Sequence, residues 1–276
     1  MKAAPFRYER PASIKEALEL LHAQDGAKAL AGGQSLVPMM AMRLARPTVL
    51  VDLAAVPGLD EVERDNGSLV TGGMVRQRTL ERRDGLSRAV PLIAAALPWV
   101  GHREIRNRGT IGGSVAHADP SAELSLVAAV LGAAIVAVGR DGERQIPGDE
   151  FAQGPFQTAL HPDELLTAIR WPVATDADGF AFDEVARRHG DFALCGVAVW
   201  ARYGGPARVG LMGVAAAPVV HDVRPQLDGG ASAQDVADEL AQNVDPAGDM
   251  HASAAYRRRL VGVLVTRCLT EALGHD

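Results

Sequence analysis

The sequence predicts an α+β protein of two domains, residues 1–175 and 176–276. Its 276 residues and 47% hydrophobic content allow more than one core to form. Strand-like and helical segments alternate in the first part, whereas in the second part three strand-like segments precede two helical ones. The second domain is therefore expected to be an antiparallel three-stranded sheet with helices, and the linker is expected at Thr175-Asp176-Ala177-Asp178-Gly179.

The first domain is expected to contain two subdomains, residues about 1–56 and 57–175. In the first, apolar residues from Ser13 to Leu21 recur at helical spacing, and Ser13 is expected to cap that helix. Short apolar strands on both sides of the next helical segment predict a βαβ-like unit, with Ser35 as the cap of its helix. Helix, strand, turn, helix and strand are expected at residues 13–21, 27–30, 31–35, 36–44 and 48–53.

The second subdomain is expected to hold two helices, a hairpin and a closing strand. The segment Leu86–Leu97 has a helical apolar pattern. Asp119 and Pro120 predict the start of the next helix, because aspartate caps free N–H groups and proline suits the first helical position. Asp141-Gly142 predicts a hairpin turn. The strand Leu165–Pro172 is expected at the edge of its sheet, because it ends in proline.

The second domain is expected to begin with strands joined by turns such as Gly204-Gly205-Pro206. No internal repeat suggests a solenoid. Strands are predicted at Phe180–Arg187, Ala193–Tyr203 and Ala207–Val214, and helices at Ala233–Asn243 and Ala252–Leu273.

Charge and hydropathy exclude several classes of function. The formal net charge is −6, and the basic cluster of Arg103, Arg106 and Arg108 has no interleaved aromatic residues, so no nucleic-acid partner is expected. The longest apolar run, residues 126–138, is shorter than the roughly 18 residues that a membrane span needs. The N-terminal segment has no apolar signal core. The expectation is a cytoplasmic protein with no membrane span.

Residue counts and spacings also limit metal and nucleophile chemistry. Only two cysteines are present, and an iron–sulfur cluster usually requires four cysteine ligands, so this chain is not expected to hold one alone. His117 and Asp119 are spaced like metal ligands, but no third ligand is close in sequence, which favours an ordinary loop. Ser35 and Ser114 follow glycines but lack the closing glycine of Gly-x-Ser-x-Gly, so no hydrolase nucleophile is indicated.

Two short glycine loops suggest one extended ligand that contains phosphate. Ala31-Gly32-Gly33-Gln34-Ser35 and Thr110-Ile111-Gly112-Gly113-Ser114 each lead into a segment with a helical pattern. Glycine lets the backbone approach a ligand closely, and a helix start offers free N–H groups to an anion. Neither loop has the Gly-x-Gly-x-x-Gly of a Rossmann site, and no P-loop motif occurs, so a dinucleotide site of another kind is predicted.

Four segments of the chain carry one recognisable pattern. They are Ala31-Gly32-Gly33-Gln34-Ser35-Leu36 with Pro38, Ile105-Arg106-Asn107-Arg108-Gly109-Thr110-Ile111-Gly112-Gly113-Ser114, Asp119-Pro120-Ser121-Ala122-Glu123-Leu124 and Arg187-Arg188-His189-Gly190-Asp191-Phe192-Ala193. Together they resemble the FAD-binding medium subunit of molybdenum hydroxylases, a family that includes the carbon monoxide dehydrogenase flavoprotein and the FAD domain of xanthine dehydrogenase. The resemblance covers essentially the whole chain. It implies a two-part FAD-binding domain of the vanillyl-alcohol-oxidase and molybdenum-hydroxylase type, followed by the C-terminal domain.

The resemblance also implies non-covalent FAD and a set of residues that contact it. The first loop would wrap the pyrophosphate, and the second would hold the pyrophosphate and ribityl region from the other side. Asp119 and Glu123 would approach the ribityl hydroxyls or the adenosine, and Leu166 the adenine. The implied contact residues are Ala31, Gly32, Gly33, Gln34, Ser35, Leu36, Thr110, Ile111, Gly112, Gly113, Ser114, Asp119, Glu123 and Leu166.

Some of these residues also have an ordinary structural explanation. Asp119 could act only as a helix cap, Glu123 is favourable in the first turn of a helix without any ligand, and Leu166 suits a core. Relatives often have histidine or asparagine at Gln34 and asparagine at Ser114. Some carry a lysine near the flavin where Asp183 stands, so no catalytic residue is implied here. Two roles, a subunit interface or a domain junction, stay open for Arg187, Arg188 and Asp191.

For function, the resemblance implies an FAD-dependent oxidoreductase subunit that transfers electrons within a larger complex. A small subunit with two [2Fe–2S] clusters would deliver electrons to FAD, and a large molybdopterin subunit would hydroxylate the substrate. This chain would pass electrons to an external acceptor, and the complex is expected to be a dimer of heterotrimers. The alternatives are a self-sufficient FAD-dependent oxidase and a non-catalytic FAD-binding assembly scaffold. Carbon monoxide, an aldehyde, a purine and another N-heterocycle all remain open as the substrate.

Overall fold

A three-stranded parallel sheet opens the chain. The structure, a computed structural model, describes residues 2–274, so residues 1, 275 and 276 of the two predicted domains lie outside it. In this sheet β3 (Val49–Asp52) lies between β1 (Arg7–Glu9) and β2 (Ala27–Leu30) and is parallel to both. This arrangement confirms the predicted βαβ-like unit. Ser13 caps the first helix by accepting a hydrogen bond from the Glu16 amide at 3.2 Å. The elements are β1 (Arg7–Glu9), α1 (Ile14–Ala23), β2 (Ala27–Leu30), α2 (Leu36–Ala41) and β3 (Val49–Asp52).

The predicted helix over residues 36–44 is shorter than expected. It ends at Ala41, and Arg43 then has a left-handed backbone with φ of +61°. A left-handed residue cannot continue a right-handed helix, so the chain turns there toward β3.

An antiparallel five-stranded sheet forms the centre of the second subdomain. The strand Leu165–Pro172, here β10, was predicted at the edge of its sheet but lies in the middle. The order of the strands, numbered along the chain, is β4–β5–β10–β6–β7. Pro172 is the last residue of β10 and therefore removes no donor from the interior of the ladder. Trp171 is fully buried there and donates from Nε1 to Thr71 Oγ1 at 2.9 Å. The strands are β4 (Val62–Asp65), β5 (Ser68–Gly72), β6 (Ala134–Gly139), β7 (Gly142–Pro147), a short β8 (Ala152–Gly154) and β9 (Gln157–Thr158) pair, and β10 (Leu165–Pro172).

Short helices connect these strands, and two of them differ from the prediction. The helix expected at residues 86–97 is broken at Val90, because a residue before proline avoids the helical region and Pro91 follows. The helix expected to start at Asp119 begins at Glu123 instead, and Asp119 Oδ1 accepts from the Ser121 amide at 2.9 Å in the preceding turn. The helices are α3 (Gln77–Glu81), α4 (Leu86–Ala89), α5 (Pro91–Ala96), α6 (Arg103–Arg106), α7 (Ile111–His117), α8 (Glu123–Leu131) and α9 (Gly148–Phe151).

The C-terminal sheet has four antiparallel strands rather than the predicted three. The added strand is β14 (Val219–Asp222), whose four residues are all partly or fully exposed. It therefore lacks the alternation of buried and exposed residues by which a strand is predicted. Helix α11 has the predicted bounds, and α12 begins two residues late because Ser253 caps it. The elements are β11 (Asp178–Ala186), β12 (Ala193–Arg202), β13 (Ala207–Met212), β14 (Val219–Asp222), α10 (Arg224–Asp228), α11 (Ala233–Asn243) and α12 (Ala254–Leu273).

The C-terminal sheet lies between two layers of helices. One face packs on α11 and α12, and the other packs on α5 and α8 of the first domain. Phe180 and Phe182 of β11 reach the core of the first domain, so the two predicted domains share a buried boundary. Within residues 2–274, none of the helices combines the length and the apolar character required to cross a membrane.

Candidate functional site

The two glycine loops meet in the folded chain. A Cβ atom built on Gly32 would lie 2.4 Å from the carbonyl oxygen of Arg108, just before the second loop. A Cβ atom built on Gly113 would lie 3.2 Å from the Cβ of Ala31. Glycine at position 32 is therefore required for the first loop to lie against the second, and the two loops lie side by side.

The first loop presents a group of free backbone amides. Gly33 has a left-handed backbone with φ of +74°, which turns the loop at the end of β2. The Gln34 side chain donates to the Gly32 carbonyl at 3.4 Å. Ser35 stands before α2 as predicted, but its side chain makes no capping hydrogen bond in the described chain. No acceptor within residues 2–274 is bonded to the amides of Gly32, Gly33, Gln34, Ser35 and Leu36.

Free amides in a tight turn suit an anionic ligand. Successive N–H groups around a left-handed residue form a concave surface that binds phosphate oxygens. Because α2 has only six residues, its dipole adds little, and the loop amides themselves supply the donors. The first loop therefore fits a pyrophosphate.

The second glycine pair was predicted to lie in a loop ahead of a helix. In the structure it lies within the helix itself. Gly112 and Gly113 belong to the first turn of α7, and Thr110 is its N-cap. Each amide of this turn already has an acceptor. The bonds are Ile111 N to Val75 O at 2.9 Å, Gly112 N to Gly73 O at 3.1 Å, Gly113 N to Thr110 Oγ1 at 2.9 Å and Ser114 N to Thr110 O at 3.1 Å.

Gly112 is needed for close packing rather than for an unusual backbone angle. A Cβ atom on Gly112 would lie 2.6 Å from Gly73 Cα and 2.9 Å from Leu166 Cδ2. Leu166 is only 7% exposed, so it packs beneath the second loop. Gly73 is a site-lining residue that was not predicted, although a glycine pair such as Gly72-Gly73 can indicate that another backbone approaches closely.

The two predicted acidic contacts lie in different environments. Asp119 is half-buried, and its negative charge partly opposes the lowering of the His117 pKa by burial. Glu123 is the first residue of α8 and is only 8% exposed. Burial raises the pKa of Glu123 to about 7. Asp119 is thus accessible to a ligand, whereas Glu123 lies in the interior behind it.

A second buried carboxyl was missed by the sequence analysis. Glu184 of β11 lies on the face of the sheet toward the first domain, whereas its neighbour Asp183 pairs with Arg267 of α12 on the opposite face. Asp183 thus lies on the face of the sheet that packs against α12. The period-2 alternation of a strand was the signal that could have identified Glu184.

The turn after β11 packs against the first domain. The ring centroids of His189 and Trp99 are 5.6 Å apart, and a Cβ atom on Gly190 would lie 2.4 Å from His102 Nδ1. Arg187 Nη1 lies 3.0 Å from His251 Nδ1 within the C-terminal domain. His189 and Gly190 therefore lie at the junction between the domains, whereas Arg187 bonds within its own domain.

The described part of the chain has no cluster of residues suited to binding a metal ion, and its two cysteines are buried. Within residues 2–274, no three His, Cys, Asp or Glu side chains are grouped so that they could hold a metal ion. Cys195 and Cys268 are unpaired and buried in the core between the C-terminal sheet and its helices. Burial raises the pKa of each thiol to about 12.

Two family models together match nearly the whole chain. The model described as the FAD binding domain in molybdopterin dehydrogenase matches residues 4–174, and the CO dehydrogenase flavoprotein C-terminal domain matches residues 180–272. The chain belongs to the FAD-binding medium subunits of molybdenum hydroxylases. As a member of this family it is an oxidoreductase subunit with FAD as its cofactor.

Known medium subunits are similar over their full length. The nicotine 6-hydroxylase medium subunit of Paenarthrobacter nicotinovorans is 36% identical over 99% of both chains. The carbon monoxide dehydrogenase medium chain of Afipia carboxidovorans is 35% identical over 97% of this chain and 96% of that one. The solved carbon monoxide dehydrogenase of Hydrogenophaga pseudoflava, which lacks the Mo-pyranopterin moiety, superposes with a TM-score of 0.93 at 32% identity, covering 100% of this chain and 99% of that one. The predicted α+β fold is thereby confirmed.

Proposed function

We propose that this medium subunit transfers electrons inside a heteromeric molybdenum hydroxylase. A small subunit supplies electrons from its [2Fe–2S] clusters, and this chain passes them through FAD to an external acceptor. A large subunit with molybdopterin hydroxylates the substrate. The observation that carries the proposal is the first glycine loop, whose five free amides and two glycines at the turn fit the FAD pyrophosphate.

FAD supplies the redox chemistry when bound, since its isoalloxazine ring accepts and donates electrons. The chain contributes binding and orientation. The first-loop amides hold the pyrophosphate, and Gly113 keeps the neighbouring wall free of a side chain. Because the amides of the second loop are already bonded, that loop contributes shape and the Ser114 hydroxyl.

The full contact set proposed for non-covalent FAD is the one expected from the sequence. Its polar members outside the loops are Asp119 and Glu123, which would meet the ribityl hydroxyls or the adenosine. The set is Ala31, Gly32, Gly33, Gln34, Ser35, Leu36, Thr110, Ile111, Gly112, Gly113, Ser114, Asp119, Glu123 and Leu166.

Further features of the assembly are part of the same proposal. The division into residues 1–175 and 176–276 places the boundary between β10 and β11. The complex is proposed to be a dimer of heterotrimers, which the mass of the purified complex in solution would test. The cytoplasmic location expected from the sequence stays a prediction.

Anaerobic rapid mixing tests the electron-transfer role. The assembled complex and the isolated FAD-loaded chain are each mixed with carbon monoxide, an aldehyde, a purine and another N-heterocycle, and the flavin absorbance is followed. We expect at least one compound to bleach the flavin rapidly in the complex, while the isolated chain stays oxidised with all four.

The outcome separates the proposal from its alternatives. Reduction of the isolated chain by one of these compounds would support a self-sufficient oxidase. A flavin that stays oxidised in the complex, while the [2Fe–2S] clusters are reduced by the same compound, would contradict electron transfer and support an assembly scaffold. Dithionite reduction of both samples controls for the redox competence of the bound flavin.

A further inference from the structure

Five large apolar side chains are exposed on the N-terminal subdomain, beside the first glycine loop. Leu44 is 71% exposed, and Phe6, Tyr8, Val37 and Met42 are each between 42% and 52% exposed. We call these five residues the N-terminal face. Single exposed apolar residues are normal on a protein surface, whereas a group of them marks a surface that another molecule covers.

The topology of the parallel sheet puts β1 and α2 on the same side. Because β3 lies between β1 and β2, the crossovers through α1 and α2 run in opposite directions, and right-handed crossovers then place the two helices on opposite faces. Val49 and Val51 pack on the α1 side, so Leu50 and its partner Tyr8 point to the α2 side. Phe6 precedes Tyr8 by two positions, the spacing of side chains on one side of an extended chain.

The turn after α2 is fixed against the N-terminal segment. Met40 is the one buried residue of α2, so its other side chains are at least partly exposed in the described chain. The helix ends before the left-handed Arg43, whose Nε donates to the Lys2 carbonyl at 3.3 Å. The Leu44 amide donates to the Met39 carbonyl at 2.9 Å. These bonds hold Leu44 in place and join the two parts of the N-terminal face.

The charges around the N-terminal face have mainly one sign. Residues 26–51 contain no aspartate or glutamate, and neither do residues 1–8, although the whole chain has a net charge of −6. Asp52 follows the first of these segments, and its carboxylate accepts a hydrogen bond from the Tyr8 hydroxyl. The exposed basic residues of the two segments include Lys2, Arg43 and Arg46. The face therefore suits a partner surface that is apolar and bordered by carboxylates.

The composition is typical of an interface between proteins. Aromatic residues, methionine and arginine are enriched in such interfaces, and aspartate and glutamate are depleted. The N-terminal face and its border contain all three enriched types. Helices that lie in a membrane surface often have about 20–30 residues, whereas α2 has only six, so a protein partner is favoured over a lipid surface.

We propose that the N-terminal face is the docking surface for the small [2Fe–2S] subunit. The proposal rests on the electron-transfer function proposed above, in which the small subunit is the partner that must approach FAD. Val37 directly follows the first glycine loop, and a Cβ atom on Gly33 would lie 3.2 Å from its Cγ2. A subunit seated on this face therefore also borders the proposed FAD site.

Substitutions at exposed positions of the full chain test the proposal. The FAD-loaded chain is titrated into the small and large subunits purified without it, and mass photometry follows assembly. Met42→Glu and Leu44→Glu each put a carboxylate into the apolar contact, so the Kd for assembly should rise at least about thirtyfold, as for a strong interface contact. Met250→Glu is the matched control, because Met250 is 91% exposed on the C-terminal domain, and it should leave this Kd unchanged.

The same variants should fold and bind FAD normally. Met42 and Leu44 are exposed and lie outside the proposed FAD contact set, so the Tm should stay within about 2 °C and the flavin content should not change. Arg46→Glu tests the charged border. It should weaken assembly less than Leu44→Glu does, and it should make assembly less sensitive to salt.

Photo-crosslinking in the assembled complex identifies the subunit that covers the face. The photoreactive residue p-benzoylphenylalanine replaces Leu44 in one sample and Met250 in another, and mass spectrometry identifies the products after irradiation. We expect the residue at position 44 to crosslink to the small subunit and the residue at position 250 not to do so.

Normal assembly of both the Met42→Glu and Leu44→Glu chains would overturn the proposal, as would a crosslink from position 44 to the large subunit or to a second copy of this chain. Binding of the unmodified chain, but not of the Leu44→Glu chain, to phosphatidylglycerol vesicles would overturn it in favour of a lipid surface. An unmodified chain that assembles with neither subunit would instead contradict the heteromeric function as a whole.

Discussion

In the first glycine loop, residues 32–36, the backbone amides have no acceptor within the described chain, whereas in the second, residues 111–114, every amide already donates to another atom of the chain. The first loop turns at a left-handed glycine, and the second pair sits inside the first turn of α7. A glycine pair can therefore serve a ligand in two ways. It can leave donors free, or it can allow two backbones to approach each other.

The first loop is therefore suited to binding a ligand, and the second to supporting the structure beside it. The first loop offers free donors, and its close packing is at Gly32, which lies against Arg108 and Gly109. The second is packed on Gly73 and Leu166 and forms a rigid wall beside it. Substitutions in the first loop should therefore change FAD affinity more than the stability of the apo-protein, and substitutions in the second should do the reverse.

Gly112→Ala should produce the largest effect. Its Cβ would lie 2.6 Å from Gly73 Cα and 2.7 Å from Gly73 O, and neither backbone atom can move without displacing the end of β5. We expect the apo-protein to lose ~3 kcal/mol of unfolding free energy, as in other overpacked interiors. Urea unfolding of the apo-protein measures this loss of free energy.

Gly262→Ala is the matched control, because Gly262 is also a helical glycine but its added Cβ would meet the nearest atom at 3.9 Å. This change should leave stability unaltered or raise it by up to ~1 kcal/mol, since alanine favours helix. Equal stability of the Gly112→Ala and Gly262→Ala chains would show that the second loop is not a packed wall.

Gly33→Val should have the next largest effect and should act on FAD. A β-branched residue at φ of +74° is strained by ~1–2 kcal/mol, so the loop would relax and its amides would no longer converge. We expect the purified chain to contain no flavin, with FAD affinity reduced at least about a hundredfold, equivalent to ~2.7 kcal/mol. Flavin absorbance per protein gives the occupancy.

Gly33→Asn separates backbone angle from side-chain bulk, because asparagine tolerates the left-handed region. It should retain part of the flavin. Full FAD occupancy in the Gly33→Val chain would remove the first loop from the pyrophosphate site.

Thr110→Val should have a smaller effect, confined to stability. Thr110 Oγ1 accepts from the Gly113 amide at 2.9 Å, and loss of a cap of this kind costs ~1 kcal/mol. Because the Thr110 hydroxyl is engaged with this amide, the contact proposed between Thr110 and FAD does not use the hydroxyl, and FAD affinity should stay within about twofold of the unmodified chain. A large loss of FAD affinity at unchanged apo-protein stability would mean that the Thr110 hydroxyl itself bonds to FAD.

Local patterns in the sequence predicted much of the fold. The βαβ-like unit and α11 follow from apolar spacing and caps, which depend on neighbouring residues. The break at Val90 was also present in the sequence, since Pro91 disfavours helix in the residue before it. The position of β10 in the middle of its sheet depends instead on pairing with β5 and β6, which are distant in sequence.

In the candidate site, too, local motifs could be predicted from the sequence, whereas long-range contacts could not. The two glycine loops were visible as motifs, but two of the four acceptors that occupy the second loop's amides lie on Gly73 and Val75, more than thirty residues earlier. The burial of Glu184 depends on how α8 crosses the C-terminal sheet. The alternation of β11 puts Glu184 on the same face as Phe182, but what covers that face depends on long-range packing, so its burial could be assigned only from the folded chain.

Ser35→Ala should have the smallest effect and is the sharpest comparison with Thr110→Val, because both residues stand at the N-cap of the helix after a loop. Ser35 makes no capping bond in the described chain and is exposed, so its loss should change apo-protein stability by less than ~0.5 kcal/mol. If its hydroxyl contacts FAD as proposed, the Kd should rise about threefold, at the low end for one hydrogen bond. An unchanged Kd would remove Ser35 from the contact set, whereas a stability loss equal to that of Thr110→Val would show that the two loops begin their helices in the same way.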